Sequence, residues 1–432
     1  MKKFLKKLIP MPVFRELEPI YHLVMAFFSA LRYGFPAYSM RIIGITGTNG
    51  KTTTSVMVQK MMYEAGLHTG ILSTAVHGYD DKVTIETEHM TTAPSHLLQK
   101  RLREFKNLGC EWVVVETTSH ALAQHRVFGI PYEIVAMTNV THEHLDYHRT
   151  FARYVAAKVR LFRIANRHGE RIGIVNADDK SAGKFAAVIK NSISYGIEHG
   201  DVKAENIELD HDGVSYTAIV DQDEFHIKTH IPGVFNVYNS LACLLIGKAV
   251  GLRKEQIERG IADTRSVEGR MQSINAGQKF NVIVDYAHTP DAFEILLSGE
   301  RKLTKGKLIV LFGSAGGPRD PSKRFPQGEI AGKYADEVVV TEEDDRYTDG
   351  NLIMQQIADG AIKSGKKLNK DLHLILDRQK AIEYAMTLAK NPDDLVLLLG
   401  KGHERTIERA NETIAWNEPE EAVKAIKKLL QK

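Results

Sequence analysis

The stretch RIIGITGTNGKTTT, residues 41–54, decides the fold. Arg41–Thr46 is a short apolar, β-branched run of the kind that fills a sheet covered on both faces. Gly47-Thr48-Asn49-Gly50 breaks that run, and Lys51 opens a helical pattern that closes at Gly66. A strand, a Gly-rich turn and a helix N-terminus make an anion cradle, because unpaired backbone N–H groups and the helix dipole face one point. A standard phosphate loop reads G-x-x-x-x-G-K-[ST]. Gly50-Lys51-Thr52 fits its end, but the place of the first glycine holds Ile45. An ordinary strand–helix turn would explain the glycines, though not a lysine followed by three threonines. Nucleotide binding is therefore the reading: glycines for close backbone approach, Lys51 for phosphate charge, and the hydroxyls of Thr52 and Thr53 for Mg²⁺ and phosphate.

Outward from the loop the pattern stays α/β. WVVVETTS (112–119), YEIVAMTNV (132–140) and RIGIVNADD (171–179) read as further strands, with helical stretches between them. Such alternation predicts a mostly parallel sheet covered on both faces. Residues 201–230 alternate differently and suggest a small antiparallel patch. After a helix over 236–252 the α/β pattern restarts, with NVIVDYAH, KLIVLFGSAGG, DEVVVTEEDD, LHLILD and DLVLLLGKGHE as strand-like runs. The expected organisation is a helical segment over 1–40, a nucleotide-binding domain over 41–268 and a second doubly wound domain over 269–432. In open α/β sheets functional residues collect at the carboxyl ends of strands. The polar clusters here follow strand-like runs in that way.

Composition sets limits. The 432 residues suffice for two or three domains with separate cores. Lys+Arg number 57 against 54 Asp+Glu, so no bulk field argues for a nucleic-acid partner. Cys110 and Cys243 lie far apart among apolar neighbours and read as buried hydrophobes of a reducing cytoplasm. The basic MKKFLKKLIP and the apolar YHLVMAFFSALRYGF (21–35) raise the question of a signal or anchor. His22 and Arg32 interrupt that run, which is shorter than the ~20 residues a membrane span needs. An amphipathic helix docked on the next domain is expected, with contact at a membrane surface as the weaker reading. A cytoplasmic monomer is expected.

GITGTNGKTTT resembles the variant loop of the Mur ligases, ATP-dependent enzymes that join amino acids onto cell-wall precursors and lack the first glycine of the standard loop. TTAPSHLLQKRL, VVVETTSHALAQHRV, TNVTHEHLDYHRTFARYVAAKVRLF, GVFNVYN, VEGRM, VDYAHTPDA, GSAGGPRDPSKR and GKGHE agree with that family in order and spacing, from residue 41 to about 410. The set looks most like the MurE type, which adds the third peptide residue to UDP-N-acetylmuramoyl-L-Ala-D-Glu. The resemblance implies a central P-loop ATPase domain and a C-terminal Rossmann-like domain that takes the amino acid.

It also implies roles for single residues. ATP would be held by Gly47, Thr48, Asn49, Gly50, Lys51, Thr52 and Thr53. Asn236, Asn239, Arg270, Asp285 and His288 would add contacts to adenine or ribose, although one asparagine reads equally well as a helix cap. Lys51, Glu116, His144 and Lys158 would be catalytic. Thr52, Glu116, His144 and Lys158, the last as a carbamate, would hold Mg²⁺; a bare ammonium would repel the ion. His142 and His148 are weaker candidates. Thr91, Thr92, Thr118, Gln124 and Arg126 match positions for the muramoyl-peptide, with Thr118 standing where the family usually has serine. Arg319 could bind carboxylate or phosphate. TEEDDRYTD (341–349) occupies the place of the amino-acid selector, commonly D-N-P-R in diaminopimelate enzymes. Arg346 matches its arginine, while Asp344 and Asp345 replace Asn and Pro. Gly400 and Glu404 would receive the ammonium end.

The implied reaction is ATP-dependent amide ligation through an acyl phosphate, with meso-diaminopimelate favoured over L-lysine. MurE-type enzymes carry an N-terminal uridine-binding domain of roughly a hundred residues. About forty residues precede the loop here, so the uridine end is expected to be held differently. Two alternatives stand beside this reading: a Mur-type ligase for another γ-glutamyl or peptide acceptor, and a nucleotide-dependent regulator that does not ligate. A second metal on a carboxylate substrate disfavours the regulator.

Overall fold

The computed structural model describes residues 11–86, 90–317 and 319–431, with the backbone alone described over 11–18 and at Asp146. Residues 1–10 of the expected N-terminal segment lie outside this range. Two compact units emerge, one formed by residues up to 207 with 216–228 and 237–264, the other by 208–215, 229–236 and 265–432.

The first unit begins with helix α1 (Met11–Arg32), then β1 (Arg41–Thr46), α2 (Lys51–Glu64), β2 (Thr69–Leu72), β3 (Val76–Tyr79), β4 (Lys82–Ile85) and α3 (Ser95–Asn107). It continues through β5 (Trp112–Glu116), α4 (Ser119–Ala123), β6 (Tyr132–Met137), α5 (Leu145–His148), α6 (Phe151–Asn166), β7 (Ile172–Asn176), α7 (Ala182–Ala186), β8 (Asn191–Gly196) and β9 (Val202–Lys203). The nine strands are ordered β4-β3-β2-β5-β1-β6-β7-β8-β9. All neighbours are parallel except the β2–β3–β4 meander at one edge. The four strands marked by apolar runs are present. β2, β3, β4, β8 and β9 carry glycines or exposed polar positions, as strands at the sheet's flanks do, and their runs are too short or mixed to read.

β1 lies between β5 and β6, in the most buried part of the sheet. Its register sets Ile45 beside Glu116 and Thr46 beside Met137. The chain therefore leaves three adjacent strands at one level, and the loops that follow meet there. α2 is buried nearly all round, including Thr52, Thr53, Thr54 and Ser55 as well as Met57, Val58, Met61 and Met62. A Cβ on Gly260, in the helix Lys254–Ala262, would lie 2.6 Å from the Met61 Cα, so glycine allows the close helix contact there.

Three consecutive strands follow: β10 (Glu205–Asp210), β11 (Gly213–Val220) and β12 (Asp223–Thr229), ordered as in sequence. The β11–β12 turn, Asp221-Gln222, has φ of 51° and 73°, the left-handed pair that suits the twist of a hairpin. Helix α8 (Phe235–Val250) and α9 (Lys254–Ala262) come next.

The second unit holds β13 (Gln272–Ser273), β14 (Asn281–Asp285), α10 (Pro290–Leu303), β15 (Leu308–Phe312), α11 (Arg324–Tyr334), β16 (Glu337–Val340), α12 (Gly350–Lys363), β17 (Leu372–Leu374), α13 (Arg378–Leu388) and β18 (Leu395–Leu399). A hairpin, β19 (Thr406–Glu408) and β20 (Thr413–Ala415), and α14 (Glu418–Leu430) complete it. Its sheet order is β13-β14-β18-β15-β16-β17, parallel except for β13. β15 and β18 are buried along their whole length, which explains the unbroken apolar runs LIVLF and LVLLL. Among the described residues no helix is long and apolar enough to cross a membrane. Both cysteines are free and buried, and burial pushes the Cys110 thiol up to about 11.

Candidate active site

At the end of β1 the loop 47–50 is clamped from the segment after β6. Thr48 N donates to Asn139 O at 2.7 Å, Asn49 N to Asn139 Oδ1 at 2.9 Å, and Thr138 Oγ1 to Asn49 O at 2.6 Å. Gly50 caps α2 with φ 83°, and a Cβ there would lie 2.2 Å from Asn239 Oδ1. A Cβ on Gly47 would lie 1.9 Å from Thr138 Oγ1. Both glycines are thus required by space, and Ile45, fully buried in the strand, has no such role. Lys51 folds back on the loop, with Nζ donating to Thr48 O at 2.6 Å. Asn239 Oδ1 also accepts from Thr54 Oγ1 at 3.3 Å, which ties α8 to the loop's helix.

Glu116, at the last position of β5, is almost wholly buried. Its Oε2 accepts from Thr52 Oγ1 at 3.0 Å and Thr74 N at 2.8 Å, and its Oε1 from Thr74 Oγ1 at 2.9 Å. The carboxylate therefore joins the phosphate loop to the residues after β2. Lys158, on α6, donates from Nζ to Gly47 O and lies 4.6 Å from the Tyr154 ring centre. Burial, then the nearby Lys51 charge, holds its pKa well below the ordinary lysine value.

His144 stands at the left-handed N-cap of α5, φ 55°, with Nε2 3.5 Å from Glu143 Oε2. Its ring packs edge-on against His120 at 4.6 Å between centres and lies 6.1 Å from Tyr154. Tyr154 OH in turn shares a 2.9 Å hydrogen bond with Thr48 Oγ1, so the imidazole cluster abuts the phosphate loop. Burial, followed by the neighbouring His144 and His148, lowers His120 to about 3. His148 bonds Ser119 Oγ at 3.0 Å and His142 stacks on Phe151, which accounts for both as packing groups.

The acceptor candidates adjoin this hub. Thr92 Oγ1 donates to Glu116 O at 2.9 Å and accepts from Thr118 N at 3.0 Å, while Thr118 Oγ1 caps α4. Arg126 is held by Gln124 Oε1 at 2.6 and 2.9 Å and by Thr92 O at 2.8 Å. A recess lined by Ser73, Glu86, Thr91, Thr92, Arg101 and Glu116 opens among them. In it Glu86 receives both arms of the Arg101 guanidinium.

In the second unit a separate cluster forms at the ends of β14, β16 and β18. Asp285 accepts from Met271 N at 2.8 Å and Ala287 N at 2.7 Å, and burial raises its carboxyl. The Arg270 guanidinium covers the Tyr286 ring at 4.4 Å, and His288 packs on the same ring at 4.7 Å. Tyr286 OH donates to Glu404 Oε1 at 3.1 Å. Lys401, with no exposed side-chain surface, bridges Asp344 Oδ1 at 2.8 Å and Glu404 Oε2 at 2.6 Å. Burial pushes the Asp344 carboxyl up, but the Lys401 ammonium, the Glu408 N–H and Arg346 together hold it below its ordinary range. Arg346 pairs through Nε with Glu408 Oε2 at 2.7 Å and through Nη2 with Asp344 Oδ2 at 3.5 Å. Burial, with Glu342 next, raises Asp345 to about 6. Glu343 Oε2 and Asp345 Oδ1 are buried without a hydrogen-bond partner. Gly400, at φ 101°, brings its backbone against Glu343. Arg319 is exposed. Asn236 Nδ2 donates to Pro232 O at 2.6 Å, just ahead of α8.

The chain matches the Mur ligase middle domain over residues 45–247 and the Mur ligase glutamate ligase domain over 269–402. It is 38% identical over 435 aligned residues to the UDP-N-acetylmuramyl-tripeptide synthetase of Roseiflexus sp., covering 98% of this chain and 85% of that protein. The chain belongs to the Mur ligase family. A second relative, the UDP-N-acetylmuramoyl-L-alanyl-D-glutamate--2,6-diaminopimelate ligase of Bacillus licheniformis, is 38% identical over 94% of this Mur ligase and 82% of its own length. A solved structure bearing that same enzyme name superposes with a TM-score of 0.65 at 28% identity, covering 90% of this chain and 79% of the other. As a Mur ligase, the protein is an ATP-dependent amide-bond ligase of peptidoglycan precursor synthesis.

Among the described residues of this Mur ligase, no three His, Cys, Asp or Glu side chains form a ready ion cage. Mg²⁺ bound with a nucleotide keeps waters and phosphate oxygens and needs only one or two protein oxygens. The Thr52 hydroxyl and Glu116 carboxylate, already 3.0 Å apart, are such a pair, so the residues present fit the ion. Lys158 in its amine form does not add to them. The sequence reading passed over Thr74, Glu86, His120, Glu143, Glu343 and Lys401. His120, Glu143, Glu343 and Lys401 stood within the quoted motifs without being singled out; Thr74 and Glu86 lie outside them and gain meaning from Glu116 and Arg101, distant in sequence.

Proposed function

We propose that this Mur ligase joins meso-diaminopimelate to UDP-N-acetylmuramoyl-L-Ala-D-Glu, consuming ATP. The observation that carries the reading is the meeting of phosphate loop and acceptor platform at Glu116: Thr52 bonds its side chain and Thr92 its backbone carbonyl. An acceptor carboxylate on Thr92, Thr118 and Arg126 would lie beside the γ-phosphate on Lys51. A carboxylate oxygen then bonds to the γ-phosphorus as the bond to ADP breaks. The amine attacks the acyl carbon of the resulting acyl phosphate, loses a proton and expels phosphate. Lys51 and the loop N–H groups stabilise the transferring charge, and most of the rate comes from this positioning. Mg²⁺, when held by Thr52 and Glu116 with His144 nearby, would supply charge neutralisation on the phosphates. A neutral Lys158 amine can add CO₂ and lose a proton to become a carbamate, the form implied by the family resemblance.

Arg346 supports diaminopimelate, whose distal carboxylate suits a guanidinium, as do the names of several relatives. A specific observation favours L-lysine as the second reading. Glu408 and Asp344 already engage Arg346, while the unpartnered oxygens of Glu343 and Asp345 would welcome an ammonium. The test is phosphate release and product mass with ATP, Mg²⁺, the UDP-muramoyl-dipeptide and each amino acid. Turnover with diaminopimelate and little with lysine is expected. Turnover with lysine alone would transfer the assignment, and none with either would overturn the muramoyl-dipeptide reading.

A further inference from the structure

Helix α1 presents an apolar stripe to solvent. Ile20, Val24, Phe27, Phe28 and Leu31 are 43–59% exposed and fall at spacings of four, three, one and three residues, one face of a helix. Met25 and Tyr38 extend the patch, at 40% and 59%. The opposite face is the one that docks, with Ala26, Ser29 and Ala30 buried, while Phe27 at the margin of the stripe reaches Phe128 edge-on at 6.0 Å. A docked helix does not need bulky apolar residues on its outer face, and a patch of this kind marks an interaction surface.

The neighbouring surface says what kind. Arg160, Arg163 and Arg167 line one recess on the outer side of α6. Among the described residues no carboxylate pairs with any of the three; Arg160 instead bonds the His125 ring at 3.3 Å. Tyr38, in the apolar patch, packs on His168 at 6.2 Å, next to Arg167 in the chain. The arginine recess and the apolar stripe are therefore adjoining parts of one surface. Residues 1–40 carry Lys2, Lys3, Lys6, Lys7, Arg15 and Arg32 against Glu16 and Glu18. Apolar side chains beside unneutralised cations are complementary to a bilayer interface with anionic headgroups.

We propose that this face docks the enzyme on an anionic lipid surface, with the α1 stripe entering the headgroup boundary and the arginines binding phosphates. The test is co-sedimentation of the full chain with phosphatidylglycerol-containing vesicles and with pure phosphatidylcholine vesicles. Binding is expected to the anionic vesicles only. It should weaken at least tenfold as salt rises from about 0.05 M to about 0.5 M, where the screening length shrinks several-fold. Phe27→Glu/Phe28→Glu and, separately, Arg163→Glu/Arg167→Glu should each reduce binding tenfold or more, with solution ligation and thermal midpoint unchanged. The second pair keeps the test decisive if the first disturbs α1. No binding to anionic vesicles, equal binding to both kinds, or binding that neither pair alters would overturn the proposal. So would self-association lost in Phe27→Glu/Phe28→Glu without vesicle binding, which would assign the face to a second copy.

Discussion

At Gly50 a single missing Cβ sets the phosphate loop: φ is 83° and Asn239 Oδ1 would lie 2.2 Å from any added carbon. Gly50→Ala should cost about 1–3 kcal/mol of stability and abolish nucleotide binding, readable by urea titration and by fluorescent-nucleotide affinity. Lys51→Ala should leave the fold intact and lower kcat by roughly 10²–10³, the scale of losing one charged stabilising group at a transition state. Asp345 supplies a pH signature. Its folded-state pKa, about 6, lies above the ordinary carboxylate value, so the folded chain holds the proton more tightly than the unfolded chain. The stability this contributes is present below about pH 4 and is lost as pH rises through about 6. Asp345→Asn should therefore match the parent chain at pH 4 and exceed it at pH 7.5 by about 2 kcal/mol in thermal-melt comparison. If Asp345 receives the amino acid's ammonium, KM for that substrate rises in the same variant.

Between elements, the firmest polar tie is Arg378 of α13 to Glu418 of α14, both without exposed side-chain surface. The guanidinium also donates to Glu342 O and Leu399 O, so it links the ends of β16 and β18. Arg378→Met should cost about 3–5 kcal/mol because Glu418 is left as a buried lone charge. Arg378→Met/Glu418→Leu should recover much of that loss in the same denaturant titration. Nothing in the sequence announces this pair, forty residues apart among ordinary helical patterns. The strands, by contrast, were largely legible: WVVV and LVLLL are unbroken apolar runs because parallel strands in a covered sheet face apolar neighbours on both sides. TGIL is buried throughout but short and broken by Thr69 and Gly70, and NSISYG begins with exposed polar residues, so neither gave such a signal.

For the molecule as a whole, the candidate sites were legible to the extent that strand order puts successive loops at one sheet edge. The loops after β1, β5 and β6 are neighbours because those strands are, so Lys51, Glu116 and His144 could be grouped from sequence. Which atoms they touch was not legible, since Thr74 and Tyr154 come from other elements and are fixed only by packing. A non-hydrolysable ATP analogue at about 100 times its Kd should stabilise the nucleotide-binding unit by about 2.7 kcal/mol. Calorimetry should show the shift, and Lys51→Ala should erase most of it.

The Glu116 carboxylate accepts three hydrogen bonds, from the Thr52 hydroxyl and from both the amide and the hydroxyl of Thr74. A cation that claims Oε2, which already accepts from Thr52 Oγ1 and Thr74 N, must loosen one of those bonds. The Thr74 amide is thereby a built-in spectroscopic reporter, far enough along the chain from residues 47–52 to be resolved from direct ligand effects. Its proton resonance and its exchange with deuterium should change when Mg²⁺ is added to the nucleotide-bound protein, and stay still when nucleotide is added alone.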